Sequence, residues 1–217
     1  MAESPSLLGL QRTTLRMQAV EALRHAIASG ELAQGSHVSE IEMAGRLQIS
    51  RGTLREAMRT LQLEGLLTEG GRGRLMVRQM SEQELRDLFQ VRAALEALAA
   101  RTLAVRADRE EPVARLTEMA NRMAGVPESL EHRMRADLDF HLEMCRLTGN
   151  ETLVRAWTAL EGSIQMSITH SGLDRAIENM NVARHLALVD AIATGDPDAA
   201  AAAVREHMDA AAHVLIS

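Results

Sequence analysis

The sequence predicts a mainly α-helical chain, an N-terminal winged helix-turn-helix followed by a C-terminal six-helix antiparallel bundle. Three observations predict it. Residues 50–59, Ser-Arg-Gly-Thr-Leu-Arg-Glu-Ala-Met-Arg, set apolar side chains and arginines at helical spacing. Two short strand-like runs, 66–68 and 75–77, flank a glycine-rich tip. Beyond Arg78 no strand-like alternation occurs, and prolines, glycines and capping residues cut the remainder into helices.

Residues 1–12 lack periodicity and read as a flexible arm. A first helix is expected from Thr13 to Ser29, burying Met17, Val20, Leu23 and Ile27, with Gly30 as its stop. Ser39-Glu40-Ile41-Glu42 is a capping box that opens a short helix through Met43, Ala44 and Leu47. Ser50 then caps a second helix, separated from the first by a tight turn. Leu54, Ala57, Met58 and Leu61 fall on one stripe of it, and Arg51, Arg55 and Arg59 step along beside them. Its free amides, its positive dipole end and this arginine row suit contact with phosphate. Three arginines alone would also fit an ordinary solvated face; the neighbouring pieces favour a recognition helix. Gly65 ends the helix, 66–68 and 75–77 pair as strands, and Glu69 to Arg74 form a hairpin tip bearing Arg72, Gly73 and Arg74. These pieces make a DNA-binding domain over 13–78.

The same residues resemble a known family. Gly30-Glu31-Leu32, Gly35, Ser39-Glu40, Met43-Ala44, Ile49-Ser50-Arg51, Leu54-Arg55-Glu56-Ala57-Met58, Leu61, Glu64-Gly65-Leu66-Leu67 and Gly71-Arg72-Gly73 look like the N-terminal domain of GntR-family bacterial transcription regulators. The resemblance implies that Ser50, Arg51, Thr53, Arg55, Arg59, Arg72, Gly73 and Arg74 meet double-stranded operator DNA. Two positions depart from the family pattern, which usually has Thr or Ser and then Pro after the first arginine. Here Gly52 and Thr53 stand there, which bears on the base sequence read rather than on reading itself.

Composition agrees with two modest domains. Apolar content of 46% is globular, and no run approaches the roughly 18 apolar residues of a membrane span. The Met-Ala-Glu-Ser-Pro start lacks the basic and apolar regions of a signal peptide, so the cytoplasm is expected. Cys145 is the single cysteine, which excludes an internal disulfide framework and a cysteine zinc cluster. The formal net charge is −6, but residues 1–78 hold ten arginines against eight acids and 79–217 hold fourteen against twenty-two. The basic excess therefore sits with the helix-turn-helix. With no tyrosine and only Phe89, Phe140 and Trp157 as aromatics, readers of single strands by base stacking are disfavoured.

The second domain, 79–217, starts at the capping box Ser81-Glu82-Gln83-Glu84, which opens a long helix to about Arg106. Pro112 suits a first helical turn, Pro127 breaks the chain, Gly149 and Asn150 are a stop and a cap, and Gly172 with Asp174 form another boundary. Gly195-Asp196-Pro197 launches the alanine-rich last helix. Asp137 and His141 lie one turn apart on one face, while His185 and His207 sit among apolar residues on two later helices. Any one of these histidines reads more readily as a packed core residue. Three imidazoles and a carboxylate converging in a bundle would be costly unless they shared a cation, and such donors suit Zn²⁺, Ni²⁺ or Mn²⁺. Asp139, His132, His170, His213, His25 and His37 match no ligand pattern, and Cys145 reads as a buried thiol.

This pattern resembles the FCD effector domain of FadR-type GntR regulators: Asp-x-x-x-His, then His before an Ala-Ile-x-x-Gly-Asp turn, then His in the last helix. Asp137, His141, His185 and His207 fill all four positions, so the resemblance implies a divalent metal site built from them. Phe89 to Glu96 resembles the first effector-domain helix, where an arginine faces the ligand cavity. Arg92 could clamp a small carboxylate effector, or could pair with Glu96 at i,i+4 on the surface; the two readings weigh evenly. Asn181, one turn before His185, is a further candidate for lining the cavity.

The expectation is a homodimeric, ligand-responsive, metal-containing repressor, since one short helix in a groove binds weakly without a second half-site. The alternative is a metal-dependent hydrolase or oxygenase acting on a small carboxylic acid. Against it, the chain has no His-Glu-x-x-His motif and no evident general base.

Overall fold

The computed structural model describes residues 14–126, 130–171, 177 and 179–216. The expected arm at 1–12, the break at Pro127 and the boundary at Gly172 and Asp174 lie outside the described residues, as do the side chains of Arg72 and His170. The winged region contains α1 (Leu15–Ala28), α2 (Glu40–Leu47), α3 (Arg51–Leu63), β1 (Leu67–Glu69), a single 3₁₀ turn (Gly71–Gly73) and β2 (Leu75–Val77). Among the described residues six helices follow: α4 (Glu82–Ala104), α5 (Glu110–Met123), α6 (Leu130–Arg146), α7 (Glu151–Ser171), α8 (Val182–Ala193) and α9 (Pro197–Ile216). The chain is thus mainly helical with a two-stranded wing, the fold class that periodicity and punctuation predict.

Local chemistry explains the boundaries. Thr14, Ser39, Ser50 and Ser81 each accept an amide hydrogen bond in the first turn of α1 to α4, and Ser81 with Glu84 completes a reciprocal capping box. Gly65 adopts φ +74°, which lets the Leu66 amide turn back and donate to Leu61 O at 2.9 Å. That bond holds Leu66 at the helix end, so β1 starts at Leu67, one residue later than expected. The hairpin is antiparallel with Leu67 opposite Val77, and His37 adds an isolated bridge to Met76.

Ala19, Val20, Leu23 and Ile27 of α1 pack on Leu54, Ala57, Met58 and Leu61 of α3 to form the winged core. Met17 does not join them, contrary to expectation; it is half exposed. At 100° per residue it lies about 105° from the centre of the buried stripe, so it points past the core. The second core surrounds α4, which packs chiefly on α9 and α7.

The α7 helix belongs to both halves. Its early residues Leu153 and Trp157 are in the bundle core, whereas Met166 is buried in the winged core. Gln34 Nε2 donates to Met166 O at 3.1 Å, and Gly162 faces the side chain of Leu66. Among the described residues no helix is long and apolar enough to cross a membrane.

Candidate functional site

The candidate DNA face is the solvent side of α3. Ser50 Oγ accepts from Thr53 N at 3.1 Å and lies 2.9 Å from Thr53 Oγ1, so both hydroxyls are engaged at the helix start. Arg51, Arg55 and Arg59 are exposed on this face. Glu40 of α2 tethers two of them, accepting from Arg55 Nε at 2.9 Å and lying 3.8 Å from Arg51. Exposed pairs of this kind contribute about 0–1 kcal/mol, so phosphate can displace Glu40 at little cost. A Cβ on Gly52 would find open space apart from Ser50 Oγ at 3.8 Å. In the wing, Gly73 adopts φ +69° and Arg74 is exposed, while Gly70 N donates to Arg74 O at 2.7 Å across the tip.

The candidate metal centre lies inside the bundle, where α6 supplies Asp137 and His141, α8 supplies His185 and α9 supplies His207. All four are buried. The three imidazoles are arranged as a triangle with every pair of ring centroids 5.2 Å apart, and one nitrogen of each ring lies within 4.8 Å of the others. Asp137 Oδ1 stands 3.0 Å from His185 Nε2 and 3.9 Å from His141 Nε2. Phe140 sets its ring edge against both His141 and His185.

The proton inventory of this cluster bears on what it can hold. His141 Nδ1 lies 2.6 Å from Glu96 Oε2, and a carboxylate there can only accept, so Nδ1 carries the hydrogen. That leaves Nε2 with a lone pair; it is buried and has no hydrogen-bond partner among the described residues. His185 repeats the arrangement, with Nδ1 donating to Asn181 O at 2.9 Å. Its Nε2 lone pair then faces Asp137 Oδ1 at 3.0 Å, acceptor against acceptor. Only a proton or a cation between them relieves that contact. Two neighbouring donors about 2.1 Å from one cation would be about 3.0–3.4 Å apart between right and tetrahedral angles; Asp137 Oδ1 and His185 Nε2 stand at that spacing, and Asp137 Oδ1 and His141 Nε2, at 3.9 Å, would draw closer on a bound ion. The donor set therefore fits a divalent ion.

Electrostatics point the same way. Burial disfavours the charged form of Asp137, but a proton shared with His185 Nε2 and the nearby Arg92 guanidinium outweigh it, and the carboxyl lies below its ordinary range. Burial, with His141 and His185 adding to it, pushes His207 down to about 2. Burial also lowers His141. Lowered imidazoles such as His141 and His207 favour the neutral form, which is the form that coordinates metal beside an ionised carboxylate. Burial, reinforced by Glu96, pushes the Cys145 thiol up, so it stays protonated.

The described structure settles how Arg92 is placed. It is buried and pairs with Glu96 through Nε at 2.7 Å, so the i,i+4 pair exists but faces inward rather than lying on the surface. Its Nη2 is buried without a hydrogen-bond partner among the described residues, 3.9 Å from Asp137 Oδ2. Asn181 is exposed and caps α8 through Ala183 N at 2.8 Å; its side chain serves the helix end, and its carbonyl orients His185. Asp139, His132 and His213 are exposed and stand apart from the triangle.

Glu96 is the residue sequence reasoning undervalued. It is fully buried and accepts from Arg92 Nε at 2.7 Å and Trp157 Nε1 at 2.8 Å on one oxygen, with His141 on the other. Burial opposes its charge, but His141 and Arg92 hold the carboxyl down at about 2. One signal was available: Phe89, Ala93, Ala97, Ala100 and Leu103 form a buried stripe on α4, and position 96 falls within it.

Comparison with known proteins accounts for both halves. Residues 15–77 match the model for bacterial regulatory proteins of the gntR family, and residues 87–210 match the FCD domain. The chain is 32% identical over 203 residues to a probable D-xylose utilization operon transcriptional repressor of Paenarthrobacter nicotinovorans, spanning 93% of this chain and 88% of that protein. It is 27% identical over 174 residues to the Nta operon transcriptional regulator of Aminobacter aminovorans, spanning 80% and 81% respectively. A putative transcriptional regulator GntR from Rhodococcus sp. RHA1 shares the fold with a TM-score of 0.73 at 22% identity, over 92% of this chain and 97% of that one. E. coli McbR/YncC shares it with a TM-score of 0.71 at 16% identity, over 94% and 98%. The Paenarthrobacter and Aminobacter relatives are named as a transcriptional repressor and a transcriptional regulator, so the hydrolase or oxygenase alternative gives way. A helix-turn-helix joined to an FCD domain places this chain in the GntR family of bacterial transcriptional regulators.

Proposed function

We propose that the protein is a homodimeric, ligand-responsive repressor with a DNA-binding domain at 13–78 and an effector domain at 79–217. Ser50, Arg51, Thr53, Arg55 and Arg59 hold operator DNA with the wing residues Arg72, Gly73 and Arg74, and Asp137, His141, His185 and His207 hold one divalent cation, Zn²⁺, Ni²⁺ or Mn²⁺. The observation that carries the reading is a pair of buried, unpartnered nitrogens of opposite character, the lone pair of His141 Nε2 and the donor Arg92 Nη2. A cation satisfies the first, and the carboxylate of a small effector satisfies the second. When bound, the cation supplies a positive anchor for an effector oxygen, and Arg92 supplies the opposing fork of donors.

Pairing of two chains is supported by α4. Val91, Leu98 and Val105 are exposed at seven-residue steps on and just beyond it, a spacing symmetric about Leu98. Two such faces related by a two-fold axis at Leu98 would set each Val91 against the partner's Val105. A repressing role is supported by the related D-xylose operon repressor. The test uses a duplex selected from a random-sequence pool by the unmutated protein. A His185→Ala protein should bind that duplex with unchanged affinity but lose its response to carboxylates added with Zn²⁺. A full response in the variant would overturn the cation-centred reading.

A further inference from the structure

The buried cluster and the winged region are joined by a continuous path of contacts. Glu96 holds His141 through one oxygen and accepts from Trp157 Nε1 at 2.8 Å on the other. Trp157 is fully buried on α7, so its indole cannot follow Glu96 without moving the helix. Five residues on, Gly162 of α7 faces Leu66: a Cβ there would stand only 3.2 Å and 3.3 Å from the Leu66 methyl carbons. Nine residues on, Met166 is buried in the winged core and its carbonyl accepts from Gln34 Nε2 at 3.1 Å. One helix thus has one part in the imidazole cluster and another in the domain that carries α3.

We infer that Glu96 and Trp157 form the coupling through which occupation of the imidazole cluster is passed along α7 to the winged domain. This rests on the cation reading proposed above. Glu96 has two oxygens for three donors: Arg92 and Trp157 share one, and His141 takes the other. A cation on His141 Nε2 makes its Nδ1–H a stronger donor and pulls Glu96 toward the ring. A carboxylate taking Arg92 removes one of the two donors on the shared oxygen. Each event changes the balance of bonds on Glu96, and Trp157 is the member that transmits the change out of the cluster. Glu96 and Trp157 are positioning residues in this scheme; neither needs to touch the cation or the effector.

The coupling can be read directly because Trp157 is the only tryptophan in the chain. The full-length protein, freed of metal, is titrated with Zn²⁺ while indole emission and the affinity for the selected duplex are followed; ion affinity is measured by calorimetry. The unmutated protein should shift its indole emission and change duplex affinity about fivefold or more, the lower range of allosteric couplings. Trp157→Phe keeps a large ring but lacks the N–H. It should still bind Zn²⁺, yet its duplex affinity should no longer respond to the ion. Glu96→Gln should weaken Zn²⁺ binding about 10–100-fold, as loss of a ligand's hydrogen-bonded carboxylate does elsewhere, and should abolish the emission shift. If Glu96→Gln does not fold, Trp157→Phe decides alone. Zn²⁺ binding with a full duplex response in Trp157→Phe would overturn this coupling and leave the cation site standing. So would Zn²⁺ binding by the unmutated protein with no duplex response. Failure of the unmutated protein to bind Zn²⁺ would overturn both.

Discussion

Two arginine–carboxylate pairs show how differently the two halves of the molecule use one interaction. Arg55 meets Glu40 at 2.9 Å on the solvent side of α3, and Arg92 meets Glu96 at 2.7 Å inside the bundle. The distances are nearly equal; the surroundings are not. Side-chain exposure is 60% for Arg55 and 3% for Arg92. In water the pair is weak and readily exchanged, which suits the proposal that Arg55 leaves Glu40 for a phosphate. In the bundle each charge depends on its partner, because neither can be solvated if the other is removed. The exposed pair is therefore replaceable by a ligand, and the buried one is part of the frame that holds the histidines.

Loss of Glu96 should have the largest effect. Glu96→Ala strands Arg92, the His141 Nδ1–H and the Trp157 N–H together, and unfolding by urea should show a loss of about 3–5 kcal/mol. A loss below about 1 kcal/mol would mean that solvent reaches this carboxylate and that the contrast between the pairs is false. Next is the ion itself. Zn²⁺ at about a hundredfold excess over its dissociation constant should stabilise the protein by about 2.7 kcal/mol, and chelation should reverse this in thermal unfolding. A His207→Ala protein should show little of either effect.

The exposed side of the comparison gives the third prediction. Arg51→Ala and Arg55→Ala should each leave stability within about 0.5 kcal/mol while weakening the selected duplex by about 1–3 kcal/mol where a base contact is lost. Where a phosphate contact is lost, the salt dependence of binding should flatten by about 0.9 in slope per contact. Anisotropy titrations at several salt concentrations separate the two cases. The smallest effect is expected at Gly52. Gly52→Ala meets no clash and removes a flexible residue from the first turn of α3, so stability should rise by up to about 1 kcal/mol. If duplex preference also changes, Gly52 marks a position where the helix approaches the bases.

How much of this was legible in the sequence depended on how local each determinant was. The caps at Ser39, Ser50 and Ser81 and the run Gly195-Asp196-Pro197 act within one helical turn, and the helices they launch begin where expected. The spacing of Asp137 and His141 put two donors on one face of α6, and the triangle completed by His185 and His207 needed only that α8 and α9 pack beside it. Glu96 was harder to read because an Arg-x-x-x-Glu spacing looks the same on a buried face as on a wet one. Its environment is set by α6 and α7, which supply His141 and Trp157 from 45 and 61 residues away. The contact of Gln34 with Met166 spans 132 residues and has no sequence pattern at all. Met17 shows the opposite error: an apolar residue near a buried stripe was assigned to it, although its angle around α1 carries it outside.

The most direct test of the buried arrangement is the Zn²⁺ retained per chain after equilibrium dialysis, compared between the unmutated protein and His141→Ala. One tightly held ion per chain in the first and none in the second is the result expected from lone pairs converging on a shared cation. Equal retention by the two proteins, or no ion in either, would contradict it.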